Sequence, residues 1–306
     1  MKQQFKNPVM DAADPFVLLH DGVYYLYCTT ENGRKLEDNK SFDTAVGDTD
    51  GFYVYQSDDL INWENKGLCL SKDDVIGEKW FWAPEVLHHN NRFYMIYTAE
   101  EHLAIAVSDS PLGPFTQTEK RWLCEEQSID GHLFKDDDGT VYLYRVCFRG
   151  IDRIFVAKMS EDLLSIEHEY ENCLIRADAE WETIDCTVAE GPFVLKHNGI
   201  YYLSYSANHT RCEDYAVGYA TSISPVGPFT KYSQNPILHK KNGFCGVGHH
   251  SFTIAKDRKT ILCAYHCHSG NPENFKPRKL CLNNAEFIPS EDGIDRLVIY
   301  GPESTL

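Results

Sequence analysis

The 306-residue chain contains no run of about 18 uninterrupted apolar residues, the length a membrane-spanning helix requires. Its first residues, MKQQFKNPVMDAADPF, hold no apolar stretch of signal-peptide length. With Met1 as the native start, these absences predict a cytoplasmic protein with no membrane partner. Basic residues are scarce: 29 Lys and Arg stand against 46 Asp and Glu, a formal charge of −17. A phosphate backbone is held by a basic footprint, so nucleic acid is set aside as a partner class. The chain also lacks G-x-S-x-G, a Walker loop and G-x-G-x-x-G, which removes serine-hydrolase, nucleotide and dinucleotide readings. No window shows sustained helical periodicity except a short candidate, DDVIGEKWFW, so an α/β architecture is a poor fit. The eleven cysteines are odd in number and sit mostly in strand-like runs (Cys28, Cys147, Cys263, Cys281), the pattern of buried free thiols. Cys263, His266, Cys267 and His268 alternate along one strand without a second C-x-x-C pair, which argues against structural zinc.

What the chain does have is repetition. ADPFVLLHDGVYYLY (13 to 27) and AEGPFVLKHNGIYYLSY (189 to 205) share nine of twelve residues when Pro15 is set on Pro192, and an acid precedes each: Asp14 and Glu190. Similar segments begin near Trp82, Ile129 and Gly248. In the first four an apolar run, a turn of DG, NN, DDDG or NG, and an aromatic-rich run follow one another, which is the signature of a hairpin. SPLGPFT and SPVGPFT lie 114 residues apart, and Asp14 and Glu190 lie 176 apart; both fit a period of about 60. Five units of four short strands account for residues 1 to 306 as one domain and predict an all-β, five-bladed β-propeller. A β-sandwich or β-helix is the alternative. Tyr24, Tyr25, Tyr201 and Tyr202 alternate along strands and read as packing between blades.

In a propeller the innermost strand of each blade starts near the axis. Asp14, Trp82 with Glu85, Asp130, Glu190, and His249 with His250 therefore converge although they are distant in sequence. Carboxylates sharing a cleft push their pKa values apart, leaving one as an acid and another as a base, the requirement of glycoside hydrolysis. The plain alternatives stay open: Asp14 as a turn-capping residue, His249 as a core histidine or as a ligand near the axis. Trp82 is a candidate sugar-stacking face, and Glu85 a candidate substrate contact.

The motifs ADPFV, WAPEV, SIDGHLFKDDDG, AEGPFVLK and GVGHHS, with Arg278 in PRKLCL, resemble glycoside hydrolase family 43 over nearly the whole chain. The resemblance implies a propeller that hydrolyses glycosidic bonds with inversion. It implies Asp14 as general base, Glu190 as general acid, Asp130 as the residue that orients Glu190 and tunes its pKa, and Arg278 as the grip on the sugar. It further implies His249, rather than its neighbour His250, at a hydrated structural calcium on the axis, with no cofactor needed for the chemistry. The expected partner is an oligosaccharide or small glycoside. The expected activity is exo-acting release of pentoses from plant-type oligosaccharides, α-L-arabinofuranosidase first and β-D-xylosidase second, because many family xylosidases carry a C-terminal β-sandwich that this sequence does not extend into. A non-catalytic glycan-binding propeller and a retaining fructosidase-type propeller are the rivals; the latter usually shows W-x-N-D-P-N and R-D-P motifs, and here Asp14 lies in AADPF with no R-D-P.

Overall fold

The computed structural model describes residues 3–30, 49–150, 152–269 and 275–304. Its strands form five small antiparallel sheets, each starting with an innermost strand: Ala13–His20, Trp82–His89, Ser128–Lys135, Ala189–His197 and Gly248–Ile254. These are blades 1 to 5 in chain order. Each inner strand packs on the next, and that of blade 5 returns to that of blade 1, so the ring closes. The chain is a five-bladed β-propeller.

The turns behave as their residues dictate. Asp21–Gly22, Asn90–Asn91 and Asn198–Gly199 all have positive φ, the backbone of a tight hairpin turn whose twist matches the strands. Side chains then alternate along the hairpin arms and feed five separate apolar clusters, one between each pair of blades. Tyr24 packs between blades 5 and 1, whereas its neighbour Tyr25 packs between blades 1 and 2. Tyr201 and Tyr202 divide likewise between the 3–4 and 4–5 interfaces. The two S-P-x-G-P-F-T phrases also act between blades: Tyr27 donates its hydroxyl to the Pro111 carbonyl, and Tyr144 to that of Pro225 at 2.6 Å.

Three local expectations change. Blade 2 has three strands rather than four among the described residues. The DDVIGEKWFW window forms only a 3-10 turn at Lys72–Asp74, N-capped by Ser71, because it is too short to sustain helical hydrogen bonding. Blade 5 takes an additional short strand, Met10–Asp11, from the start of the chain, paired with Lys279–Ile288. Asn7 ties this seam by donating to the Leu282 and Glu303 carbonyls and accepting from the Leu282 amide.

Candidate active site

One backbone device builds the site five times. In every blade the inner strand slips register by a bulge: between Ala13 and Phe16, Trp82 and Glu85, Ile129 and His132, Glu190 and Phe193, and Gly248 and Ser251. Two residues there oppose one on the partner strand, and the first of the two has positive φ: Asp14 (50°), Ala83 (43°), Asp130 (55°), Gly191 (55°) and His249 (44°). Only one of these five is glycine. The left-handed conformation costs an L-residue roughly 1–2 kcal/mol, so four strained residues surround the axis, and strain of this kind gathers at functional sites. Pro follows in blades 1, 2 and 4, at a place where the bulge leaves the ladder without a backbone donor.

This register corrects the reading of the two acids as counterparts. Asp14 corresponds to Gly191, and Glu190 corresponds to Ala13, one residue earlier. The two carboxylates therefore leave the backbone from different positions of the bulge as well as from different blades.

The amide of each bulge residue is turned out of the ladder and must find an acceptor. Ala83 N–H donates to Thr29 Oγ1 (2.8 Å), Asp130 N–H to Thr98 Oγ1 (3.1 Å), His249 N–H to Ser206 Oγ (2.8 Å) and Asp14 N–H to His266 Nδ1 (3.3 Å). Each acceptor stands on the second strand of the preceding blade. In blade 3 that position is Val146, which has no acceptor, and the Gly191 amide donates instead to the Asp130 carboxylate at 3.1 Å. The gap at Val146 is what binds Asp130 to the backbone beside Glu190.

Asp14, Trp82, Asp130, Glu190, His249 and Arg278 line one cleft of about 220 Å³, together with Glu101, Phe148, Asp152, His209 and others. Glu85 does not join them. It follows the bulge, where alternation turns it to the axial cavity beneath the cleft, and there it pairs with His132 Nδ1 at 2.7 Å. His249 points its Nδ1 at Asp14 (3.3 Å) and Asp130 (3.8 Å), while His250 is buried against Ser204 Oγ at 2.6 Å. The residue after Gly248 is therefore the one that faces the site.

The three acids occupy different electrostatic states. Arg278 grips Asp14 with two nitrogens, Nη1 to Oδ1 at 2.6 Å and Nη2 to Oδ2 at 3.1 Å, and Thr29 donates to Oδ2 at 2.6 Å. Burial alone would raise its pKa, but the Arg278 guanidinium above all, with His249, outweighs that and holds it well below the usual carboxylate range. Glu190 goes the other way. Burial, with the charges of Asp152 and Asp14, pushes it up to about 7 against the hydrogen bond from Tyr215 (2.7 Å). Asp130 is also raised, by burial and by the charges of Glu190 and Asp14, against the Gly191 amide. At neutral pH the cleft therefore holds a firmly ionised Asp14 facing a pair that retains a proton.

Several of these groups carried no sequence signal. Tyr215 lies just before the third strand of blade 4, and His266 and Thr29 lie on second strands, so none opens a hairpin. Tyr215 stacks on His266 with centroids 5.6 Å apart and connects the surroundings of the two acids. His266, fully buried and lowered to about 4 mainly by that burial, is neutral.

Residues 5–293 match the family model described as Glycosyl hydrolases family 43. The chain belongs to family 43. Among solved structures it is similar to an endo-1,4-beta-xylanase of Bacteroides thetaiotaomicron, with a TM-score of 0.85 and 39% identity over 98% of each chain. Among curated proteins it is similar to the beta-D-galactofuranosidase xynD of Aspergillus niger, 24% identical over 92% of this chain and 82% of that one. The arabinoxylan arabinofuranohydrolase of Paenibacillus polymyxa is 27% identical over 85% of this chain and 46% of its own length, so the chain spans about half of that relative. As a family 43 protein the chain is a glycoside hydrolase, and the cleft described above is where its acids meet.

Proposed function

We propose that the protein hydrolyses terminal pentosides with inversion, α-L-arabinofuranosides ahead of β-D-xylosides, with Asp14 as general base and Glu190 as general acid. The observation that carries this reading is the opposite displacement of two carboxyl pKa values within one cleft. Ionised Asp14 takes a proton from a water as that water attacks the anomeric carbon. Protonated Glu190 gives its proton to the glycosidic oxygen as the carbon–oxygen bond breaks on the opposite face. Their places on non-adjacent blades suit an inverting pair, which stands roughly 6.5–9.5 Å apart to admit a water. Asp130, fixed by the Gly191 amide next to Glu190, orients that acid and tunes its pKa. Arg278 has a double role: it anchors Asp14 and, lining the cleft, presents its guanidinium to sugar hydroxyls. Trp82 offers the stacking face, backed by Trp80 at 5.9 Å and 14°.

Two features support a pentose-releasing enzyme that acts on short chains. A cleft of about 220 Å³ is small beside the roughly 300–1,000 Å³ of sites for larger ligands. The relatives named for arabinoxylan arabinofuranose and for galactofuranose point to furanosides. A calcium ion would find His249 and at most Asp130 as protein ligands, since Asp14 is bound by Arg278, and water would complete its oxygen shell. No step above is routed through a metal.

The test compares aryl α-L-arabinofuranosides and β-D-xylosides with good and poor leaving groups. Asp14→Asn should lose about 10²–10⁴-fold on all of them, whereas Glu190→Ala should lose that much only where the leaving group needs a proton. Equal losses across leaving groups would remove the acid and base assignments, and a faster xyloside would reverse the order of substrates.

A further inference from the structure

The cleft holds a carboxylate that the hydrolytic machinery does not account for. Asp152 opens the third strand of blade 3, Asp152–Met159, opposite Phe148 at the end of the second, and both side chains line the cleft beside Val188 and Glu190. Among the described residues the Asp152 carboxylate has no hydrogen bond and no ion pair, and its electrostatic surroundings are burial and the charge of Glu101. Its neighbours are less idle: Glu101 accepts a hydrogen bond from Gln127 Nε2 at 3.1 Å, and Asp14, Asp130 and Glu190 each hold a donor. An unpaired, half-buried carboxylate is expensive, and it is retained where a ligand supplies the missing donors.

Its location tells which part of a substrate it meets. The third strand of blade 3, which Asp152 opens, packs against the inner strand of blade 4 that carries Glu190, whereas Asp14 stands on blade 1, which does not adjoin blade 3. Asp152 thus lies on the Glu190 side of the cleft, away from the base. A sugar spanning base to acid places its scissile oxygen at Glu190, and what lies beyond is the leaving residue. We propose that Asp152 and Phe148 form the subsite for the departing sugar, Phe148 giving an apolar face and Asp152 accepting hydrogen bonds from that sugar's hydroxyls. The inference rests on Glu190 as the acid. It defines the preferred aglycone as a neutral, hydroxyl-bearing sugar such as a xylosyl unit. A uronate there would face Asp152, Glu101 and Glu190 together.

The experiment measures kcat/KM for the full chain and its Asp152→Asn and Asp152→Ala variants on two substrates that share one pentose. One is the nitrophenyl pentoside, whose aglycone has no hydroxyls; the other is the same pentose on a xylo-oligosaccharide. A charged hydrogen bond to a hydroxyl predicts an additional loss of about 10- to 100-fold on the oligosaccharide, mainly through KM. Asp152→Asn is nearly isosteric, so the comparison survives if Asp152→Ala folds poorly. A second readout is the alkaline limb of the rate profile on the oligosaccharide, whose leaving group needs the Glu190 proton; it moves to lower pH when the charge beside Glu190 is removed. Equal losses on both substrates, or none on the oligosaccharide, would overturn the proposal. Glu190→Ala run alongside separates the two readings. If it keeps wild-type activity on the oligosaccharide the acid assignment fails; if it is inactive there while Asp152→Asn is indifferent to the aglycone, only the subsite fails.

Discussion

Glu190→Gln removes a charge that the fold resists. The folded carboxyl keeps its proton up to about pH 7 instead of the ordinary 4.5, chiefly because it is buried and because Asp152 and Asp14 are near. Between those two values the native chain holds a proton that the unfolded chain has released, so stability falls as pH rises through the window, and the penalty is complete above 7. At about 1.36 kcal/mol for each tenfold in proton affinity, the penalty reaches about 3 kcal/mol. Glutamine carries no such cost, and its carbonyl can still accept the Tyr215 hydroxyl that Glu190 Oε1 accepts at 2.7 Å. Asp130 gains too, since Glu190's charge is one of the causes that raise it. For 306 residues, unfolding entropy of about 2.1 cal/mol/K per residue converts 3 kcal/mol into a Tm gain of about 5 °C. Scanning calorimetry at matched ionic strength should therefore find the variant more stable than wild type at pH 8 by about that amount and nearly equal to it at pH 4.5. A gain that is the same at both pH values, or absent at pH 8, would show that Glu190 is not strained by ionisation.

Further outcomes follow from neighbouring groups. Tyr215→Phe deletes a hydrogen bond that lowers the Glu190 pKa, so the alkaline limb of kcat/KM on poor leaving groups should move to higher pH; a downward move would contradict the assigned polarity. Thr29→Val leaves the Ala83 amide without its acceptor and takes from Asp14 one of its donors, costing about 1–3 kcal/mol. Thermal melting should show that loss, and the acid limb should rise because the carboxylate is less well held. An unchanged melt would mean that the ring of bulge amides is satisfied some other way.

The architecture was legible because a propeller repeats its instructions. The DG, NN and NG turns, the tyrosine pairs and the period of about 60 residues each point to one blade, and five agreeing blades leave little freedom. Asp14, Trp82, Asp130, Glu190 and His249 were legible as cleft residues for the same reason, that inner-strand starts must converge, whereas Arg278, just before the third strand of blade 5, was marked only by the family resemblance. What misled was the bulge. Matching Pro15 to Pro192 aligns the strands correctly and sets Asp14 on Gly191, but reading each acid as the opening of its hairpin makes Glu190 seem the partner of Asp14, when the positive φ belongs to Gly191. The same extra residue sends Glu85 below the cleft, although its place in WAPEV looks like an entrance position. Glycine announces a positive φ; Asp14, Ala83, Asp130 and His249 adopt one without announcing it. Tyr215, His266, Thr29 and Asp152 were silent for another reason, since each is brought in by packing from an outer part of a blade and belongs to no motif.

The central claim is that Asp14 delivers a water to one face of the anomeric carbon while Glu190 releases the leaving group from the other. Proton NMR of a β-D-xyloside digest, followed from the first seconds, reads the configuration of the sugar as it is formed. The account predicts α-xylose first, with the β anomer growing only by mutarotation. β-Xylose as the initial product would contradict it, because retention requires a carboxylate attacking the carbon directly and would make Asp14 a nucleophile.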